Sequence, residues 1–209
     1  MIPLKSGKLL SEERKNNTMP EIVKLNQRVP FRQYRNPTPE GLKEPGYVAV
    51  SPDEEYLTLR GVMRDSDIHS YSTGDAQAMW LLGDVLEFFF WLPPRKDYYE
   101  TQVSCIGHRL QIHLAEFYIV YDMDFHDIIS EYGMTAKVRR FPKLNVWYGQ
   151  IKIPLKRIGA TLADLDGMHF MSGRYNYNRG WEKPELSATC TFEGSSFHSP
   201  TEWSILKLK

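Results

Sequence analysis

Two runs of alternating residues, 84–92 and 98–105, stand only five residues apart, and this spacing constrains the fold more than any other feature of the chain. In the first run Leu86, Phe88 and Phe90 fall on one face of an extended chain, and Val85, Glu87, Phe89 and Trp91 on the other. In the second, Tyr99, Thr101, Val103 and Cys105 alternate with Tyr98, Glu100, Gln102 and Ser104. The connection Pro93-Pro94-Arg95-Lys96-Asp97 is short enough to make the pair an antiparallel hairpin. Register follows from keeping the polar faces together, because a slip of one residue would turn every side chain over. Glu87 is then opposite Gln102, Phe89 opposite Glu100 and Trp91 opposite Tyr98. Such a surface joins carboxylate and amide groups to aromatic rings, and can hold hydroxyls while stacking on apolar faces.

The remaining sequence repeats the theme in shorter form. Runs rich in Val, Ile, Tyr, Phe and Trp, bounded by Gly, Pro, Asp and Asn, predict strands at 47–50, 56–64, 110–121, 146–153, 167–175, 186–192 and 203–207. With the hairpin that makes about nine strands, enough for two sheets packed face to face. The expected fold is all-β: a two-sheet antiparallel β-sandwich, jelly-roll-like, with helix limited to about two turns at 75–82 and 125–132. No fixed-period repeat suggests a propeller or solenoid. Pro20, Pro30, Pro37, Pro39 and Pro45 deny backbone donors, so residues 19–45 read as a Pro-rich extended arm along the domain. Residues 1–18 read as a polar tail and 46–209 as the sandwich, one domain.

Composition removes several classes of function. Lys and Arg total 26 and so do Asp and Glu, leaving no net field to draw in a phosphate backbone, and nucleic acid is not an expected partner. No apolar run is long enough for a membrane span, and the opening residues lack the apolar stretch of an export signal, a cytoplasmic pattern. Cys105 and Cys190 are too few for a disulfide framework and are expected as buried thiols. The six histidines show no close metal spacing, and no metal or cofactor site is predicted from them. No Ser/His/Asp or Cys/His catalytic set is discernible.

Several segments, taken in order, resemble the family 9 carbohydrate-binding modules, relatives of the dopamine β-monooxygenase N-terminal-type sandwich domains. They are Asp65-Ser66-Asp67-Ile68, then Trp80 through Glu87, then Tyr98-Tyr99-Glu100, then Trp147 through Leu155, then Arg174 through Trp181, and finally Phe197-His198-Ser199-Pro200 before Trp203. The resemblance runs from Val48 to Leu208 and leaves the arm outside. It implies a non-catalytic sandwich whose slot clasps a sugar ring between two tryptophans, Trp80 and Trp181 here. It also implies polar contacts from Glu87 and Asn178. The family uses an arginine on the second hairpin strand; none stands there, and Gln102 is the nearest substitute. The implied partner is a mono- or oligosaccharide, in the setting of polysaccharide catabolism alongside glycoside hydrolases. Family members are usually extracellular, in tension with the absent export signal. Some bind a structural calcium, for which Asp65, Asp67, Asp122, Asp124 and Asp127 offer oxygens.

Three other functions are compatible with the same residues. Glu87 and Glu100 project from one face of neighbouring strands, as a retaining glycosidase pair would require. Related sandwiches hold haem b, and Met79, Met123, Met134 and His113 offer ligands. The aromatic surface could instead meet a partner protein as a scaffold.

Overall fold

A computed structural model of the chain describes residues 20–34, 40–117, 124–192 and 196–209. The polar tail at 1–18, the end of the strand expected at 110–121, Asp122 and Met123 lie outside the described residues. Thirteen strands are assigned: β1 (Ile22–Lys24), β2 (Val29–Pro30), β3 (Arg32–Gln33), β4 (Gly46–Val50), β5 (Tyr56–Arg64), β6 (Val85–Trp91), β7 (Tyr98–Ser104), β8 (Arg109–Leu114), β9 (Thr135–Phe141), β10 (Val146–Pro154), β11 (His169–Asn176), β12 (Glu185–Ala188) and β13 (Ser204–Lys207). One helical turn, α1 (Phe125–Ile128), precedes β9.

They form a two-sheet sandwich. The larger sheet runs β1-β13-β11-β6-β7-β8, with β12 also on β11 and β3 on β12. The smaller runs β2-β4-β5-β10-β9. Only the β1–β13 pairing is parallel among these ladders. The hairpin register is the one read from sequence: Glu87 pairs with Gln102, Phe89 with Glu100 and Trp91 with Tyr98. Residues 20–34 are extended except for a turn at residues 25 and 26, and they lend β1 and β3 to one sheet and β2 to the other. Val23 and Val29 are fully buried there, so this segment contributes to the core. The strand expected at 110–121 ends at Leu114. β9 was not expected from sequence; it is an exposed edge carrying Lys137, Arg139 and Arg140, charges that discourage edge-to-edge pairing.

The pleat of β6 divides the core in two. Leu86, Phe88 and Phe90 point between the sheets, where they meet Leu57, Leu59, Trp147, Ile151 and Ile153. Val85 and Phe89 point the opposite way, into a second cluster with Met79, Leu110, Ile112, Phe197 and Trp203. Every residue of β7 is buried, and in β6 only Trp91 is partly exposed. The outer face of the hairpin is therefore covered by chain, whereas the sequence left it as an open polar surface. Strands buried on both faces carry near-continuous hydrophobic runs, which accounts for Val-Leu-Glu-Phe-Phe-Phe-Trp.

Between the sheets Leu86 fits over Gly61 and Gly149, which pair across β5 and β10. A Cβ on either glycine would lie 3.0 and 3.1 Å, respectively, from Leu86 Cδ2. The Gly149→Val variant is expected to overpack this contact and lose about 1–3 kcal/mol, read as a lower urea midpoint with unchanged slope.

At one end the sheets are joined by polar groups. Arg174 on β11 is 1% exposed and donates to the Glu44 carbonyl at 2.7 Å, the Arg64 carbonyl at 2.5 Å and Asn176 Oδ1 at 2.7 Å. Asp65 Oδ2 lies 3.6 Å from the same guanidinium and accepts from Trp147 Nε1 at 3.1 Å. Cys105 and Cys190 are free, buried thiols.

Candidate binding cavity

On the outer face of the hairpin lies a cavity of about 180 Å³. Its floor is Glu87, Phe89 and Glu100, which share a face because their strands are in register. Tyr175 stands on the same face one strand over, since Gly173 pairs with Glu87 two residues earlier. Phe197 and His198 form a wall from the C-terminal segment, Ile112 and Ile128 give apolar backing, and Trp80 completes the lining. Gly173 is needed beside the floor: a Cβ there would lie 2.7 Å from Glu87 Oε2 and 3.0 Å from the Phe197 ring.

Trp80 sits in a 3-10 turn, Met79–Leu81, immediately ahead of β6. The Phe125 ring meets it edge to face at 5.7 Å, and Tyr177 Oη donates to its carbonyl at 2.7 Å. His198 is held by Tyr98, whose Oη is 2.9 Å from Nδ1. Trp203 Nε1 donates to the Phe197 carbonyl at 2.9 Å, tying the wall to the second cluster.

The acidic pair is unusual in its environment. Glu100 Oε1 accepts from Gln102 Nε2 at 2.5 Å, and its Oε2 is 4.0 Å from His198 Nε2. Glu87 Oε2 and Gln102 Oε1 are buried with no hydrogen-bond partner among the described residues. Burial pushes the Glu100 carboxyl up to about 7. Burial, with the Glu100 charge adding to it, raises Glu87 well above the usual carboxylate range. Burial alone holds His198 down at about 4, so its imidazole is neutral near pH 7.

Elsewhere, burial, reinforced by the neighbouring Asp65 charge, lifts Asp84 to about 8. A carboxyl whose value is raised on folding takes up protons in the folded state; its contribution is present near its unfolded value and is lost as pH rises through the folded one. His198 acts in the opposite sense, but only below its ordinary value of 6.5. Stability is therefore expected to fall from about pH 6.5 to about pH 8.5 by on the order of 2 kcal/mol. Thermal unfolding across this range checks it, and Glu100→Gln is expected to flatten part of the slope.

Of the five site residues expected from sequence, Trp80 and Glu87 line this cavity, and Gln102 stands beside it, bonded to Glu100. Asn178 and Trp181 lie outside its lining, on the loop after β11. Asn178 donates to Ser66 Oγ at 3.1 Å and accepts from the Gly180 amide at 2.9 Å, closing a turn. One face of the Trp181 ring carries the Lys43 ammonium, 4.4 Å from its centroid. Trp80 and Trp181 nonetheless spring from the same end of the larger sheet, five residues before Val85 and five after Asn176 respectively, where Tyr175 pairs with Val85.

Tyr175, Phe197 and His198 were not among the expected site residues. Their signal was partial: Tyr175 follows from strand alternation once β11 is placed beside β6, whereas 197–198 comes from a segment with no strand pattern. The aspartates considered for calcium have other partners. Asp67 receives Arg179, Asp65 faces Arg174, and Asp124 accepts from the His126 amide at 2.8 Å as the cap of α1. Among the described residues no group of three or more His, Cys, Asp or Glu is placed to hold a metal ion. Of the candidate haem ligands, Met79 lies in the outer cluster and Met134 in the inner one, and His113 stacks on Tyr99 at 4.5 Å with Nε2 2.8 Å from Asp97. No helix among the described residues is long and apolar enough to cross a membrane.

No family model and no curated protein matches the chain. Solved structures of the same architecture do. A protein from Bacteroides uniformis ATCC 8492, inferred to be carbohydrate-binding, superposes with a TM-score of 0.64 at 14% identity, over 91% of this chain and 100% of its own. A family 9 carbohydrate-binding module from Caldicellulosiruptor kristjanssonii in complex with glucose gives 0.63 at 12% identity, over 90% and 96%. The module from that organism in complex with cellotriose gives 0.60 at 13%, over 90% and 93%. At such identities the likeness establishes the fold, and with it the architecture the sequence resemblance implied.

Proposed function

We propose that this protein binds carbohydrate without altering it, at the cavity bounded by Trp80, Glu87 and Glu100. One observation carries the reading: buried carboxyls and aromatic rings converge in a single recess on a fold shared with modules seen holding glucose and cellotriose. A pyranose presents C–H groups on its faces, which pack on aromatic rings, and hydroxyls at its rim, which meet carboxyl and amide groups. Glu87 Oε2 has no hydrogen-bond partner among the described residues, and a sugar hydroxyl, which both donates and accepts, would satisfy it, such a group costing about 1–3 kcal/mol while left alone.

In this reading Trp80 is one wall, and Trp181, which stands outside the lining with Lys43 over its ring, would have to move to supply the second. The recess, about 180 Å³, is below the roughly 300–1,000 Å³ of sites for larger ligands, which favours one terminal ring over a chain interior. The same size argues against hydrolysis, because a glycosidic bond brought to Glu87 and Glu100 would need room for two rings. Glucose is expected to quench tryptophan fluorescence with a Kd from about micromolar to millimolar. Trp80→Ala is expected to weaken binding about tenfold. Glycan binding that survives in both Trp80→Ala and Trp181→Ala, or turnover of aryl glycosides abolished by Glu87→Gln, would refute this function.

A further inference from the structure

Among the described residues the cavity has acids on its floor and no Lys or Arg in its lining. The basic side chain that does line it, His198, is buried to the point of neutrality. Glu87 is 2% exposed, and its Oε2 has no partner among the described residues. Glu100 is 4% exposed and receives a single amide, from Gln102. Around these two carboxyls stand Trp80, Phe89, Tyr175 and Phe197, rings whose negative faces attract a cation most strongly where water is excluded. Burial favours the protonated form of both acids while no Lys or Arg among the described residues faces them; neutral hydroxyls would satisfy the orphan oxygen but leave that cost in place, whereas an ammonium ion would offset it. A protonated amine does both, donating three hydrogen bonds from one atom.

We propose that the cavity receives the ammonium group of its ligand between Glu87 and Glu100, which makes the preferred carbohydrate an amino sugar such as a terminal 2-amino-2-deoxyhexose. This rests on the carbohydrate-binding reading for the sugar, and on the cavity alone for the amine. The Gly173 backbone gives Glu87 the space to hold this position, since any side chain there would push into its carboxylate.

Calorimetric titration of the whole chain at pH 7 with glucosamine, N-acetylglucosamine, glucose and cyclohexylamine tests both parts. Glucosamine is expected to bind at least about tenfold more tightly than glucose or its own N-acetyl derivative, from one cation–π contact and charge-assisted bonds. Glu87→Gln is expected to abolish that preference while the protein keeps its circular dichroism spectrum. Glu100→Gln is an independent second variant should the first not fold. Equal binding of glucosamine and glucose overturns the ammonium site and leaves the sugar function standing. Binding of cyclohexylamine with no response to any sugar upholds the ammonium site and removes the carbohydrate reading. Silence toward all four ligands overturns both.

Discussion

Replacing Arg174 with Met is expected to lower the stability of the protein by about 3–5 kcal/mol, the usual consequence of removing one partner from a buried ionic network. The guanidinium is 1% exposed and satisfies two backbone carbonyls, from Glu44 and Arg64, together with Asn176. Met fills much of the volume but donates nothing. Both carbonyls would be orphaned, and Asp65 would lose the charge that opposes its burial and the nearby Asp84. In a chain of this size each kcal/mol shifts the midpoint by roughly 2–4 °C, so thermal melting should report a fall of about 10 °C. Because the network bridges the two sheets, the transition should remain a single one. A loss below about 1 kcal/mol would mean that these contacts are replaceable by water.

The second large effect is expected on the other side of the sheet. Trp203 is fully buried in the outer cluster, near Tyr98 at 5.6 Å and Phe89 at 5.8 Å between ring centroids. Truncation to Ala removes the indole and leaves a cavity, at a cost of about 3–5 kcal/mol. It also frees the Phe197 carbonyl that the indole N–H holds, and with it the wall that closes the binding recess. Stability in urea and glucose affinity should therefore fall together in Trp203→Ala, while Trp203→Phe should recover most of the stability. If the outer cluster were only a loosely draped surface, the Ala variant would unfold at the wild-type urea concentration.

The hairpin was legible in the sequence because two independent constraints agree there: alternation defines the faces, and a five-residue connection leaves one register that keeps like faces together. β5, read at 56–64, is likewise where alternation and flanking turn residues coincide. β9 escaped because its inward face offers only Ala136 and Val138, half-buried against the inner core, while Lys137, Arg139 and Arg140 make Thr-Ala-Lys-Val-Arg-Arg-Phe read as polar chain. The strands of the arm escaped because two- and three-residue ladders lie below the length at which periodicity carries information. What the sequence concealed most thoroughly was the burial of Glu87, Glu100 and Gln102. Their cover comes from residues 197–203, about a hundred positions away, and from Trp80 and Ile128, none of which is visible from the hairpin itself. Glu87 could be singled out from the hairpin register as well as from the family resemblance, Trp80 from the resemblance alone. The partnership of Trp181 with Lys43 depends on a side chain of the Pro-rich arm, which no local pattern announces.

A hairpin enclosed on both sides has no route to solvent short of dismantling one core or the other. Backbone amides of residues 85–91 and 98–104 should consequently be among the slowest in the molecule to exchange their protons for deuterons, opening only with the entire chain. An occupant resting on Glu87 and Glu100 would then retard exchange across both cores at once, so that filling a small recess is felt as a tightening of the whole domain.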